Sequence, residues 1–200
     1  MSIDERRLGG GFINGASAQE ESIARSSALY PTLMTDFSQR FYKTHKRDNS
    51  NCFYSHAMIY SPQVMIFRND NGSHIEPYDA DILTSAAVNA GVVRKKLSSK
   101  KPPEDSDVIE SKIEEVMKER MGRILFLFER ARVRDIVLGS FGTGVFKNNI
   151  TMVATLWANL LCGDRYRHSF DTVIFAILGN PTFVEFSQAF EKRRLQLQPY

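Results

Sequence analysis

Two hundred residues, 42% hydrophobic and 24% charged, suit one globular domain with its own core. The net charge of +3 is too small to argue for direct nucleic-acid binding, no apolar run is long enough to span a bilayer, and the opening MSIDERRL lacks the apolar core of a signal peptide. Two cysteines, Cys52 and Cys162, make no disulfide framework, which fits a reducing, intracellular compartment, cytoplasmic or nuclear.

Residues 1–8 form a short charged segment without a strand pattern. The stretch GGGFINGASAQEE follows, from Gly9 to Glu21. Gly9, Gly10 and Gly11 pack nothing and cost backbone entropy, so the chain keeps them where main chain must turn left-handed or a ligand must approach closely. Ser17 and Glu20 have capping-box spacing, and a helix is expected from 17 to about 30. A glycine loop feeding a helix N-terminus is a ready anion site. Glu20 can also be read as only the capping partner, with Glu21 a first-turn acid that suits the dipole.

Pro31 stops this helix or starts another, and Thr32 to Tyr42 reads as a second short helix. His45 to Asn51 reads as a polar loop. Short strands are expected at Ala57–Tyr60 and Val64–Phe67, either side of Ser61-Pro62-Gln63, then a turn at Asn69–Gly72. Asp81 to Val88 reads as a buried strand that ends in small residues, with Asn89 and Gly91 at its rim. That end leaves room for a ligand or is a plain exit to a loop. Ser98 to Asp107 is linker-like. From Asp107 to Arg132 apolar residues recur every three or four positions, as a core helix requires.

Arg134 to Leu138 is a short buried strand leading into GSFGTGVFKNN, then a helix from Ile150 to Leu161 with Asn148 or Asn149 as cap. Thr172 to Leu178 is a further strand, Gly179-Asn180-Pro181 a break, and Thr182 to Arg193 the last helix. This alternation indicates an α/β layered domain with a parallel or mixed sheet. Gly139, Gly142 and Gly144 match neither the Walker pattern nor the dinucleotide fingerprint. Their N–H groups can form an anion nest suited to a diphosphate, with Ser140 and Thr143 adding hydroxyls and Phe146 pressing on a sugar or base face. The alternative is a simple turn with Phe146 in the core. Four histidines and two cysteines show no zinc spacing, so no metal and no cofactor are expected.

GGGFINGASAQEE resembles the signature of poly(ADP-ribose) glycohydrolases, and its microbial-type branch most. QEESIARSSALYPTL, SPQVMIFRND, ILTSAAVNAG and LGSFGTGVFKN resemble stretches of that branch in the same order. The resemblance implies a three-layer α/β/α macro-domain-like sandwich with a mixed sheet, a catalytic domain over residues 9–195, and exo cleavage of poly(ADP-ribose) to ADP-ribose. In the branch an apolar strand precedes the glycine run; here none is read, so a shortened domain lacking its first strand or strands is expected. Glu21 is implied as general acid and base. Glu20 is implied to position the leaving ribose. Gly9, Gly10, Gly11, Gln19, Asn89, Gly139, Ser140, Gly142, Thr143, Gly144, Val145 and Phe146 are implied as substrate-binding. Partners would be poly(ADP-ribose) or ADP-ribosylated proteins, with no membrane and no direct nucleic-acid contact. The other readings are a macro-like module that binds ADP-ribose without cutting it, or an inactive truncated homologue.

Overall fold

A computed structural model describes residues 19–47 and 52–197. The glycine run, Ser17 and the segment 1–8 lie outside these residues. The chain divides between Ala87 and Val88 into two compact units.

The first unit holds helices α1 (Gln19–Ser26), α2 (Leu29–Leu33) and α3 (Asp36–Arg47) and the antiparallel strands β1 (Met58–Arg68) and β2 (His74–Ser85). Pro31 sits in the first turn of α2, where a missing N–H costs nothing. The second helix starts later than its apolar pattern suggests. Thr35 caps it: its Oγ1 accepts the Ser38 N–H at 3.3 Å. It also runs on through His45, read above as the start of a loop. His45 is 1% exposed; its Nδ1–H donates to the Phe41 carbonyl at 2.8 Å, and its ring lies 4.2 Å from that of Phe41. A buried, satisfied imidazole explains why so polar a run stays helical.

The two short strands around Pro62 are one strand. Between Ser61 and Val64 the register slips by one residue, and this bulge accommodates a proline that cannot donate to a ladder. Gln63 there has φ of +51°, and its N–H donates to Asp81 Oδ1 at 2.8 Å. Its partner β2 begins seven residues before the expected Asp81, because residues 74–80 are polar and mostly exposed and give no apolar run. The Asn69–Gly72 turn forms as expected, with Gly72 at φ +85° and its N–H bonded to the Asn69 carbonyl at 3.0 Å. Leu29, Leu33, Phe41, Tyr42, Ile59, Val64 and Ala86 form the core of this unit. Full burial of one such leucine is worth about 1.5–3 kcal/mol.

The second unit holds α4 (Ala90–Ser98), α5 (Ser106–Arg130), β3 (Asp135–Leu138), α6 (Ile150–Cys162), β4 (Thr172–Phe175) and α7 (Asn180–Gln196). Strands β3 and β4 pair in parallel, Asp135 opposite Thr172 through Leu138 opposite Phe175. The last helix enters through Gly179 at φ +85° and Pro181 in its first turn. The expected strand to Leu178 stops at Phe175, because β3 turns away at Gly139 and leaves nothing to pair with. Helix α5 buries Ile109, Ile113, Met117, Met121, Ile124, Leu125 and Phe128 on one stripe, and Arg120 with them. Phe175 of β4 packs with Trp157 of α6 and with Phe186 and Phe190 of α7, at ring-centroid distances of 6.4, 5.0 and 5.2 Å. Both antiparallel and parallel pairing occur, in two two-stranded sheets among the described residues. Among the described residues no helix is long and apolar enough to cross a membrane.

Candidate active site

In the first unit, Gln19, Glu20 and Glu21 form the first turn of α1. Gln19 is exposed, whereas Glu20 is 0% and Glu21 1% exposed. Acids in the first turn suit the positive end of the helix dipole, but that preference is met just as well in water. Burying two adjacent carboxyl groups is costly, because desolvation penalises their charged forms.

One partner of Glu20 comes from a different helix. The Tyr42 hydroxyl of α3 donates to Glu20 Oε1 at 2.8 Å. Tyr42 is itself 6% exposed. Burial first, then the charge and hydrogen bond of Glu20, then the charge of Glu21, push its phenol far above the ordinary tyrosine value. It is therefore a permanent donor. Nothing in the spacing of the sequence joins Tyr42 to Glu20 across 22 positions, so the contact is legible only in the structure.

In the second unit, the loop from Gly139 to Asn149 links β3 to α6. Its backbone enters the left-handed region at three positions: φ is +31° at Phe141, +79° at Gly142 and +56° at Lys147. Thr143 Oγ1 donates to Ser140 Oγ at 2.7 Å. The crest is open: Val145 is 88% exposed, and a Cβ built on Gly144 meets nothing within 4 Å. Phe141 and Phe146 are buried, at 7% and 8% exposed, and anchor the loop from below.

Asn89 caps α4, its side chain accepting the Val92 N–H at 3.3 Å. The same segment is tied to the glycine loop. The Gly91 N–H donates to the Phe146 carbonyl at 3.1 Å, and buried Asn148 donates through Nδ2 to Val88 O at 2.8 Å and Gly142 O at 3.0 Å. Arg94 of α4 clasps the far end of the loop, donating to the Lys147 carbonyl at 2.7 Å while it grips both carboxylate oxygens of Glu110. So hydrogen bonds tie the segment 88–91 to the glycine loop at Gly142, Phe146 and Asn148, the loop that also carries Gly139, Ser140, Thr143, Gly144 and Val145. The Asn148-Asn149 doublet divides its labour: Asn149 caps α6, accepting from Met152 N at 2.8 Å, and Asn148 fastens the loop. The doublet was the signal for Asn148, which was read only as a candidate cap.

Among the described residues no three His, Cys, Asp or Glu side chains are grouped to hold a metal ion.

Residues 4–69 match the protein-family model described as the microbial-type PARG catalytic domain. No curated protein sequence matches the chain. Among solved structures, the chain is similar to the poly(ADP-ribose) glycohydrolase of Deinococcus radiodurans in complex with ADP-ribose, at 31% identity and a TM-score of 0.80 over 98% of this chain and 75% of that one. It is also similar to the poly(ADP-ribose) glycohydrolase of Thermomonospora curvata bound to the inhibitor ADP-HPD, at 33% identity and a TM-score of 0.80 over 96% of this chain and 71% of that one. The fold is thus the macro-domain-like α/β fold of those enzymes. With its buried Glu20-Glu21 pair and its glycine loop, the chain belongs to the microbial-type poly(ADP-ribose) glycohydrolase family and is a glycosidase of that type.

Proposed function

We propose that this chain hydrolyses the ribose–ribose O-glycosidic bond of poly(ADP-ribose) from the chain end and releases ADP-ribose, with residues 9–195 as the catalytic domain. The observation that carries the reading is the pair of wholly buried carboxyl groups, Glu20 and Glu21, at the start of α1. The solved relatives described above hold ADP-ribose or the inhibitor ADP-HPD, which supports the same substrate class.

Glycosidases usually set two carboxyl groups about 5–9 Å apart across the scissile bond. Adjacent residues on a helix point about 100° apart, so Glu20 and Glu21 do not flank one bond. Their roles divide. Glu21 gives its proton to the departing ribose oxygen as the glycosidic C–O bond breaks. It then takes a proton from the water that attacks the anomeric carbon, and so returns to its starting state. Glu20 accepts hydrogen bonds from the hydroxyls of the leaving ribose. The nest at Gly139–Phe146, with Ser140 and Thr143, holds the diphosphate, and Gly9–Gly11, Gln19 and Asn89 complete the contacts to substrate. The diphosphate of the substrate offsets the positive charge of an oxocarbenium-like transition state.

The test is release of ADP-ribose from poly(ADP-ribose) by the purified chain, run beside Glu21→Gln. Loss of about 10²–10⁴-fold in turnover with ADP-ribose binding retained is the expected result. Equal turnover by the two proteins overturns the role of Glu21. Oligomeric products in place of ADP-ribose overturn the exo mode.

A further inference from the structure

We propose that Tyr42 is the positioning residue for Glu20, fixing the plane of its carboxylate so that the face turned away from Tyr42 is presented to the leaving ribose. The inference rests on the functional reading above and extends it to a residue on another helix.

The geometry has three parts. Tyr42 Oη and Glu20 Oε1 are 2.8 Å apart, a normal charge-assisted distance, with both residues buried. The tyrosine itself is held rigidly. It lies in the core with Leu29, Leu33 and Phe41, and its ring meets the Phe41 ring edge-on at 5.2 Å and 84°. Phe41 is in turn packed against His45, whose Nδ1–H holds the Phe41 carbonyl. A stiff aromatic stack on α3 thus carries one donor to one oxygen on α1.

The chemistry of that donor gives the contact a direction. The phenol keeps its proton throughout the neutral range, since burial and the nearby carboxylates both oppose its ionisation. Oε1 must therefore accept, and the carboxylate cannot rotate about its terminal torsion without breaking a buried hydrogen bond. Terminal sp³–sp² torsions have broad wells, so a hydrogen bond to one oxygen narrows the range of planes that a carboxylate samples. A ribose presents vicinal hydroxyls in one plane, so a carboxylate that is to receive them gains from being fixed beforehand. Tyr42 supplies that preorganisation without touching substrate.

The test is Tyr42→Phe, which keeps the ring and removes one oxygen. Turnover of poly(ADP-ribose) is expected to fall by about 10- to 100-fold, the usual cost of losing a partner that orients a functional group. Thermal melting of the same variant establishes that it is folded. The decisive comparison is a cycle with Glu20→Met. Where no carboxylate remains to be oriented, Tyr42→Phe is expected to cost no further turnover. A merely structural tyrosine would cost the same factor in both backgrounds, and that result overturns the proposal. So does an active wild type with an equally active Tyr42→Phe. An inactive wild type instead overturns the functional reading, and the role of Tyr42 with it.

Discussion

Asn148 and Gly142 are joined twice: the backbone N–H and the side-chain amide of Asn148 both donate to the Gly142 carbonyl, at 3.1 and 3.0 Å. The same amide also reaches Val88 O. One side chain therefore holds the shape of the glycine loop and its tie to the segment before α4. Asn148→Ala is expected to destabilise the protein by about 1–3 kcal/mol, because the buried side-chain amide no longer donates to Val88 O or to Gly142 O, which keeps only its backbone donor. Asn148→Asp puts an acceptor where a donor is needed and should cost at least as much. Urea denaturation measures both, and calorimetric titration should find weaker ADP-ribose binding in each.

Gly144 separates stability from binding. A Cβ there meets nothing within 4 Å, and its φ is not in the left-handed region. Gly144→Ala should leave the midpoint of unfolding unchanged within about 0.5 kcal/mol. If the loop holds the diphosphate by close approach to its backbone, the same substitution should weaken ADP-ribose binding. Unchanged affinity would remove Gly144 from the binding site without disturbing the fold.

The bulge in β1 makes a third case. Gln63 is held at φ +51°, with its N–H on Asp81 and Tyr60 donating to the other oxygen of the same carboxylate. Gln63→Gly removes the left-handed strain of a side chain and should cost little or even stabilise, the gain offset by the extra freedom of the unfolded chain. Asp81→Ala removes both acceptors and should destabilise by about 1 kcal/mol. Chemical denaturation of the two variants should therefore differ in sign or at least clearly in size.

Two groups give opposite pH signatures. The Tyr60 phenol is pushed up to about 12, by burial and then by its hydrogen bond to Asp81. Its folded pKa exceeds its unfolded one, so the stability it contributes is present below about pH 10 and is lost as pH rises from 10 toward 12. The Glu129 carboxyl is held down to about 2, by the Arg165 guanidinium first and Ser169 second. Its contribution is present above its ordinary value and is lost as pH falls from about 4.5 toward 2. Glu129→Gln should flatten the acid limb of a melting-temperature profile, and Tyr60→Phe the alkaline limb. The Glu129 pair is exposed, so its effect should be the smaller and should shrink in salt.

The sequence made some of these features legible and hid others for definable reasons. Helix α5 was plain because its apolar stripe repeats over 25 residues. Strand β3 and the glycine loop were plain because an apolar run ended in punctuation. The first half of β2 was hidden, since an exposed strand carries no hydrophobic alternation. His45 was read as loop because its burial depends on Phe41 and on Ser55, whose hydroxyl lies 3.1 Å from His45 Nε2. Helix α4 was missed because its cap, Asn89, was weighed as a ligand contact, and one residue type serves both ends. At the candidate site, Glu20 and Glu21 stood out by chemistry. Tyr42 did not, because only tertiary packing brings a helix 22 residues away to a carboxylate.

The hairpin of β1 and β2 has a consequence for handling the molecule. Its turn is polar, exposed and closed by the Ser73 N–H on the side chains of both Asn69 and Asn71, while the unit's apolar core draws on the opposite end of the strands. Loop tips of this kind accept inserted sequence far better than the elements they join. A fluorophore or affinity peptide spliced between Asp70 and Gly72 would thus report on this protein while leaving Glu20, Glu21 and Tyr42 in their native surroundings.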